Sequence, residues 1–71
     1  MTRNEVQKVR NYLRQLFNNP AIDVQLPARE GATVEMYLDG EFIGTVYRDD
    51  EEGEVSYNVN MTILEEDLEL E

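Results

Sequence analysis

At 71 residues with a hydrophobic share of 41%, the chain is one small domain near the lower size limit for a single apolar core. It has no cysteine and no histidine, which excludes disulfides, thiolate metal sites and histidine-based catalysis. A net charge of −10 disfavours nucleic acid and anionic membrane surfaces as partners, because both are bound through clustered Lys and Arg.

The opening MTRNEVQKVRNYLRQLFNNP carries a capping box, with Thr2 as N-cap and Glu5 three residues on. Val6, Val9, Leu13, Leu16 and Phe17 then follow helical spacing and form one apolar stripe. Lys8, Arg10 and Arg14 lie off that stripe and are expected in solvent. Asn18-Asn19-Pro20 is expected to end the helix, since proline pushes the residue before it out of the α region. Ile22, Val24 and Leu26 alternate with polar residues as in a strand with one buried face, and residues 27–32 form a turn-rich connection.

Val34, Met36 and Leu38 mark a second strand, Asp39-Gly40 a hairpin, and EFIGTVYR a third strand. A two-residue turn would pair Met36 with Ile43. A three-residue turn with Gly40 in a left-handed bulge sets Phe42, Gly44 and Val46 beside Val34 and Met36, and is preferred because it needs positive φ only at glycine. Val55, Tyr57, Val59, Met61 and Ile63 alternate with polar residues in a fourth strand. The tail ILEEDLELE is open between a helical turn capped by Thr62, a strand and a frayed end.

The expected fold is α+β, a single domain over 1–71. An N-terminal helix packs on a four-stranded antiparallel meander, with a short acidic C-terminal tail or helical turn. One helix covers only one face of such a sheet. Tyr37, Ile43 and Tyr47 are expected on the other face, joined by Leu64 and Leu68 from the tail. These five are the candidate partner-binding residues. A homodimer is the simplest way to bury them.

The stretch DDEEGE, residues 49–54, places five acids in six positions and invites comparison with a calcium loop. Aligning Gly53 with the glycine of an EF-hand sets Arg48 at the first ligand position and Val59 at the twelfth, so two required carboxylates are missing. No metal and no cofactor is expected. Ser56 is the only serine and has no histidine to activate it. The carboxylates lack an evident pocket that would raise a pKa, so an enzyme is not expected. The helix–strand order is also that of double-stranded RNA-binding domains, but those use cations near their helix ends, where ILEEDLELE is acidic.

The segments VRNYLRQLFNNP, DGEFIGTVYRDDEEGEVSYNVNM and ILEEDLE together resemble a short bacterial family described only as a domain of unknown function. The resemblance spans nearly the whole chain and is most specific from Gly44 to Tyr57. It implies a small, free-standing cytoplasmic protein with no assigned activity or catalytic residues. Its members' genes often lie near a serine acetyltransferase, which implies a regulatory partner of such a metabolic enzyme. No apolar run approaches the length of a signal segment or membrane span, and a cytoplasmic location is expected. The functional expectation is a non-catalytic protein-binding or adaptor module that self-associates or docks on a partner protein. The alternative is an acidic mimic of nucleic acid that occupies a nucleic-acid-binding protein.

Overall fold

A computed structural model of the chain describes residues 1–29 and 33–68. The helix α1 (Arg3–Leu16) is followed by strands β1 (Ile22–Gln25), β2 (Val34–Leu38), β3 (Glu41–Asp49) and β4 (Ser56–Met61), then a helical turn α2 (Glu65–Leu68). The strands form one antiparallel sheet in the order β1-β2-β3-β4, the expected meander.

Helix α1 starts as its sequence dictates. Thr2 Oγ1 accepts the Glu5 N–H, and Glu5 Oε1 accepts the Thr2 N–H at 2.7 Å, so two orphan donors are satisfied reciprocally. It ends at the expected segment, but by a different device. Asn18 takes a left-handed φ of 51°, its N–H bonds to Gln15 O, and the Asn19 N–H reaches back to Arg14 O at 2.9 Å. This is a Schellman cap with asparagine in the position glycine usually holds. Asn18, rather than Pro20, therefore stops the helix.

The core comprises Val6, Val9 and Leu13 from α1 against Ile22, Val24, Val34, Met36 and Val46 from β1, β2 and β3. Strand β4 contributes no buried residue, and Leu26, expected in the core, is exposed. The helix lies over β1 and β2.

The β2–β3 hairpin corrects the expected turn. Leu38 pairs with Glu41 and Tyr37 with Phe42, so the loop has two residues, with Asp39 at φ 53° and Gly40 at φ 84°. That is a type I′ geometry, whose twist matches the flanking strands. A bulge at Ile43 then absorbs one residue and restores Met36 opposite Gly44 and Val34 opposite Val46. Apolar positions still meet, but Phe42 moves to the far face, edge-on to Tyr37 with ring centroids 6.0 Å apart. Ile43 packs against the core cluster rather than facing away from it.

Strand β1 is an edge strand, and its outer backbone groups are all engaged. Arg14 Nε donates to Ile22 O at 2.6 Å and Arg10 Nη2 to Val24 O at 2.7 Å. The Val24 N–H donates to Asp23 Oδ1, and the Ile22 N–H to Asn19 O. Arg10 Nε also lies 2.9 Å from Asp23 Oδ1, without the alignment of a hydrogen bond, so that contact is Coulombic. The two arginines expected in solvent are instead half-buried along this edge. Their aliphatic stems run down the helix while their heads seal β1.

Candidate functional site

Alternation along β4 sends Tyr57, Val59 and Met61 to the side of the sheet that carries α1, opposite Arg48, Val46 and Gly44 of β3. On the helix, Tyr12, Leu16 and Phe17 project past the edge of the core. Between the two rows lies an apolar cleft of about 550 Å³, floored by Val9, Leu13 and Met36. Tyr12, Leu16, Phe17 and Met61 each keep more than half of their surface exposed, and Val59 keeps 38%. Lys8 stands on the rim. Exposed apolar side chains from the helix and from β4 converge here.

The N-terminal end of α1 is tied to the sheet by a polar cluster. Glu5 Oε2 accepts the Tyr57 hydroxyl at 2.9 Å and Arg48 Nε at 2.8 Å, while Arg48 Nη1 also reaches Asp50 at 3.0 Å. The Thr2 backbone N–H above all, then the Tyr57 hydroxyl, lowers the Glu5 carboxyl to about 2, against an ordinary 4.5. Tyr57 is raised in turn, chiefly by its hydrogen bond to Glu5. Arg48 therefore has a partner 43 positions away as well as the neighbouring acid that its sequence context suggested. Asp23 is also lowered, first by Gln25, then by the Val24 N–H and the nearby Arg10 and Arg14.

The five sequence-derived candidates do not form one surface. Tyr37 lies on the face away from the helix, its hydroxyl bonded to Glu35 at 2.7 Å. Tyr47 shares that face and is bonded to the Asn60 side chain. Ile43 belongs with the core cluster. Leu64 and Leu68 are exposed on the tail. Tyr57, by contrast, points to the helix side of the sheet and lines the cleft.

The acidic loop resolves into local contacts. Asp49 Oδ1 caps the Glu51 N–H at 3.0 Å, and Gly53 supplies the turn's left-handed residue at φ 82°. Among the described residues no group of three or more acids converges as a metal site. Nor is any described helix long and apolar enough to cross a membrane.

The sequence signal for the cleft is Tyr12, which lies beside the helical stripe of Val6, Val9, Leu13, Leu16 and Phe17. It sits three residues after Val9 and four before Leu16, so the apolar arc widens towards the C-terminal half of α1. That widening was the available signal.

Fold and site together define a small α+β domain with one helix across half of a four-stranded meander and an open apolar cleft over the rest. Residues 5–67 match the profile of the family described as "Protein of unknown function (DUF3126)", and the chain belongs to that family. No curated protein and no solved structure matches it.

Proposed function

We propose that this chain is a non-catalytic protein-binding module of the cytoplasm that receives a partner protein in the cleft between α1 and β4. The observation that carries this reading is the convergence of Tyr12, Leu16, Phe17, Val59 and Met61 into one exposed, concave apolar surface. Water against such a surface is unfavourable by roughly 25 cal/mol per Å², so a docked side chain gains what the open cleft forgoes. Aromatic and methionine side chains are also the types enriched where proteins meet.

The charge chemistry supports a binding role over catalysis. Among the described residues the carboxyls with displaced pKa values, Glu5 and Asp23, are pushed down and stay ionised. A general acid at neutral pH needs the opposite displacement.

The test is affinity capture from host lysate with three baits: wild type, Leu16→Glu in the cleft, and Tyr47→Ser on the far face. A protein retained by wild type and Tyr47→Ser and lost with Leu16→Glu is the expected result. Loss with Tyr47→Ser alone would move the site to the far face, and equal retention by all three would end the cleft reading. Competition of the captured partner by DNA or RNA, with steep salt dependence, would instead favour an acidic mimic.

A further inference from the structure

We infer that the cleft is half of a strand-addition site. An extended segment of another polypeptide, apolar at alternate positions and basic at both ends, pairs with β4 as a fifth strand and lays its apolar side chains into the cleft. This rests on the docking reading above and adds to it the conformation and charge of the segment that docks.

The sheet has two edges, and they are built differently. At β1, Arg10, Arg14, Asp23 and Asn19 occupy the outward backbone groups, so no strand can add there without displacing them. Among the described residues, the ladder leaves the β4 edge free. The Thr62 N–H donates to Ile43 O, and hydrogen-bonded pairs alternate along an antiparallel ladder. Asn58 and Asn60 therefore turn their backbone groups towards β3. The N–H and C=O groups of Tyr57, Val59 and Met61 face outward, and among the described residues the sheet order gives them no neighbour. Exposed edges are ordinarily protected by charged side chains, proline or a bulge. The segment Ser56–Met61 has no charged residue and no proline, in a chain where 31% of residues are charged, and its pairing with β3 is regular.

Geometry joins this edge to the cleft. A strand added beside β4 lies about 4.8 Å further out, and its alternate side chains fall on the helix side. There they face Tyr12, Leu16 and Phe17, which line the cleft together with Tyr57, Val59 and Met61 of β4. Main-chain pairing then supplies affinity and the cleft selects the apolar side chains.

The charges define the ends of the segment. Before β4 stand Asp49 to Glu54, and after it Glu65, Glu66 and Asp67. Arg48, the cation in that neighbourhood, is held by Glu5 and Asp50. A basic residue at each end of the added strand is therefore complementary whichever way the strand runs. A second copy of this chain is a poorer occupant. Two-fold pairing of β4 with itself is antiparallel, which brings the acidic loop of one copy beside Glu65–Asp67 of the other, between two molecules each of charge −10.

The experiment titrates isotope-labelled protein with a short peptide of alternating valine and threonine carrying a lysine pair at each end. Shifts and new exchange protection at the Tyr57, Val59 and Met61 amides are expected. Binding should weaken at least about tenfold for the same peptide with glutamate ends, since like charges then meet at both ends. It should also be lost when the peptide is N-methylated at alternate residues on its pairing edge. The variant Val59→Pro, which removes an outward N–H but none that β3 uses, should fail to bind the unmethylated peptide while keeping its fold. If the methylated peptide binds as well and still shifts Tyr12, Leu16 and Phe17, strand addition is overturned and cleft docking stands. No shift at β4 with any peptide also overturns strand addition, leaving the capture experiment to decide the cleft. Self-association through β4 at micromolar concentration, seen in sedimentation, would overturn the choice of a foreign segment.

Discussion

Gly44→Ala tests how tightly β4 is held. Gly44 is buried in the middle of β3 opposite Met61, and it has no left-handed φ to require glycine. Space is the reason for it: a Cβ at this position would run into the Asn60 carbonyl and sit 3.1 Å from Met61 Cα. The neighbour is backbone, which cannot rotate away as a flexible side chain would. Elsewhere in a strand, replacing glycine by alanine gains about 0.4–1 kcal/mol by narrowing the unfolded ensemble. Forcing an extra methyl into filled space costs about 1–3 kcal/mol. The net expectation is a loss of about 1–2 kcal/mol, from a total of about 4–10 kcal/mol for a chain of this size. With an m-value of about 1 kcal/mol/M, the urea midpoint should fall by roughly 1–2 M with the slope unchanged. Exchange of the Thr62 amide, which is bonded to Ile43 O beside Gly44, should accelerate more than that of amides in α1. An unchanged or higher midpoint would refute the argument, because β4 would then be free to move out at no cost.

Three further outcomes follow from contacts elsewhere. Arg14→Ala strips the cap from Ile22 O and should cost about 1–3 kcal/mol for a charge-assisted bond, with new concentration-dependent light scattering as the β1 edge opens; stability and scattering both like wild type would discount the cap. Glu5→Gln keeps the capping box but removes the charge. Because the folded Glu5 carboxyl is lowered to about 2, its contribution is complete above the ordinary 4.5 and fades as pH falls from there towards 2. The variant should accordingly be less stable than wild type at pH 6 and converge with it near pH 2, and parallel pH profiles would contradict this. Asp39→Val places a β-branched residue at φ 53° and should lose about 1–2 kcal/mol by urea titration, whereas Asp39→Asn should be near neutral; equal losses would argue against the type I′ turn.

What could be read from the sequence was local. The capping box at Thr2 and Glu5, the alternation of β1 to β4 and the hairpin at Asp39-Gly40 involve residues within a few positions of one another, and each appears in the structure. What was missed depends on distance along the chain. The bulge at Ile43 reflects a compromise between turn twist and apolar register, which no single strand pattern contains. Arg10 and Arg14 read as solvent residues because helical periodicity reports the angle around the axis. It does not report that an edge strand with bare carbonyls passes beside that face. Glu5 and Arg48 meet only because the fold brings the end of β3 to the start of α1. The turn at 27–32 lies partly outside the described residues, at 30–32, as does the end of the tail, at 69–71.

The uneven charge along the chain follows from the same arrangement. Residues up to Asn19 hold four cations against one acid, and the rest hold two against fifteen. A helix so basic on a sheet so acidic would be expected to spread its charge over the whole face. It does not, because Arg10 and Arg14 are drawn to the carbonyls of β1 and to Asp23, on the far side of the helix from the cleft. The helix is thereby anchored over β1 and β2, and its remaining apolar width, at Tyr12, Leu16 and Phe17, is left lining the open cleft beside β4. Sealing one edge thus leaves the other uncovered. It also removes two nearby cations that could have offset the acids at the ends of β4, so a complement to those acids has to arrive with whatever fills the cleft.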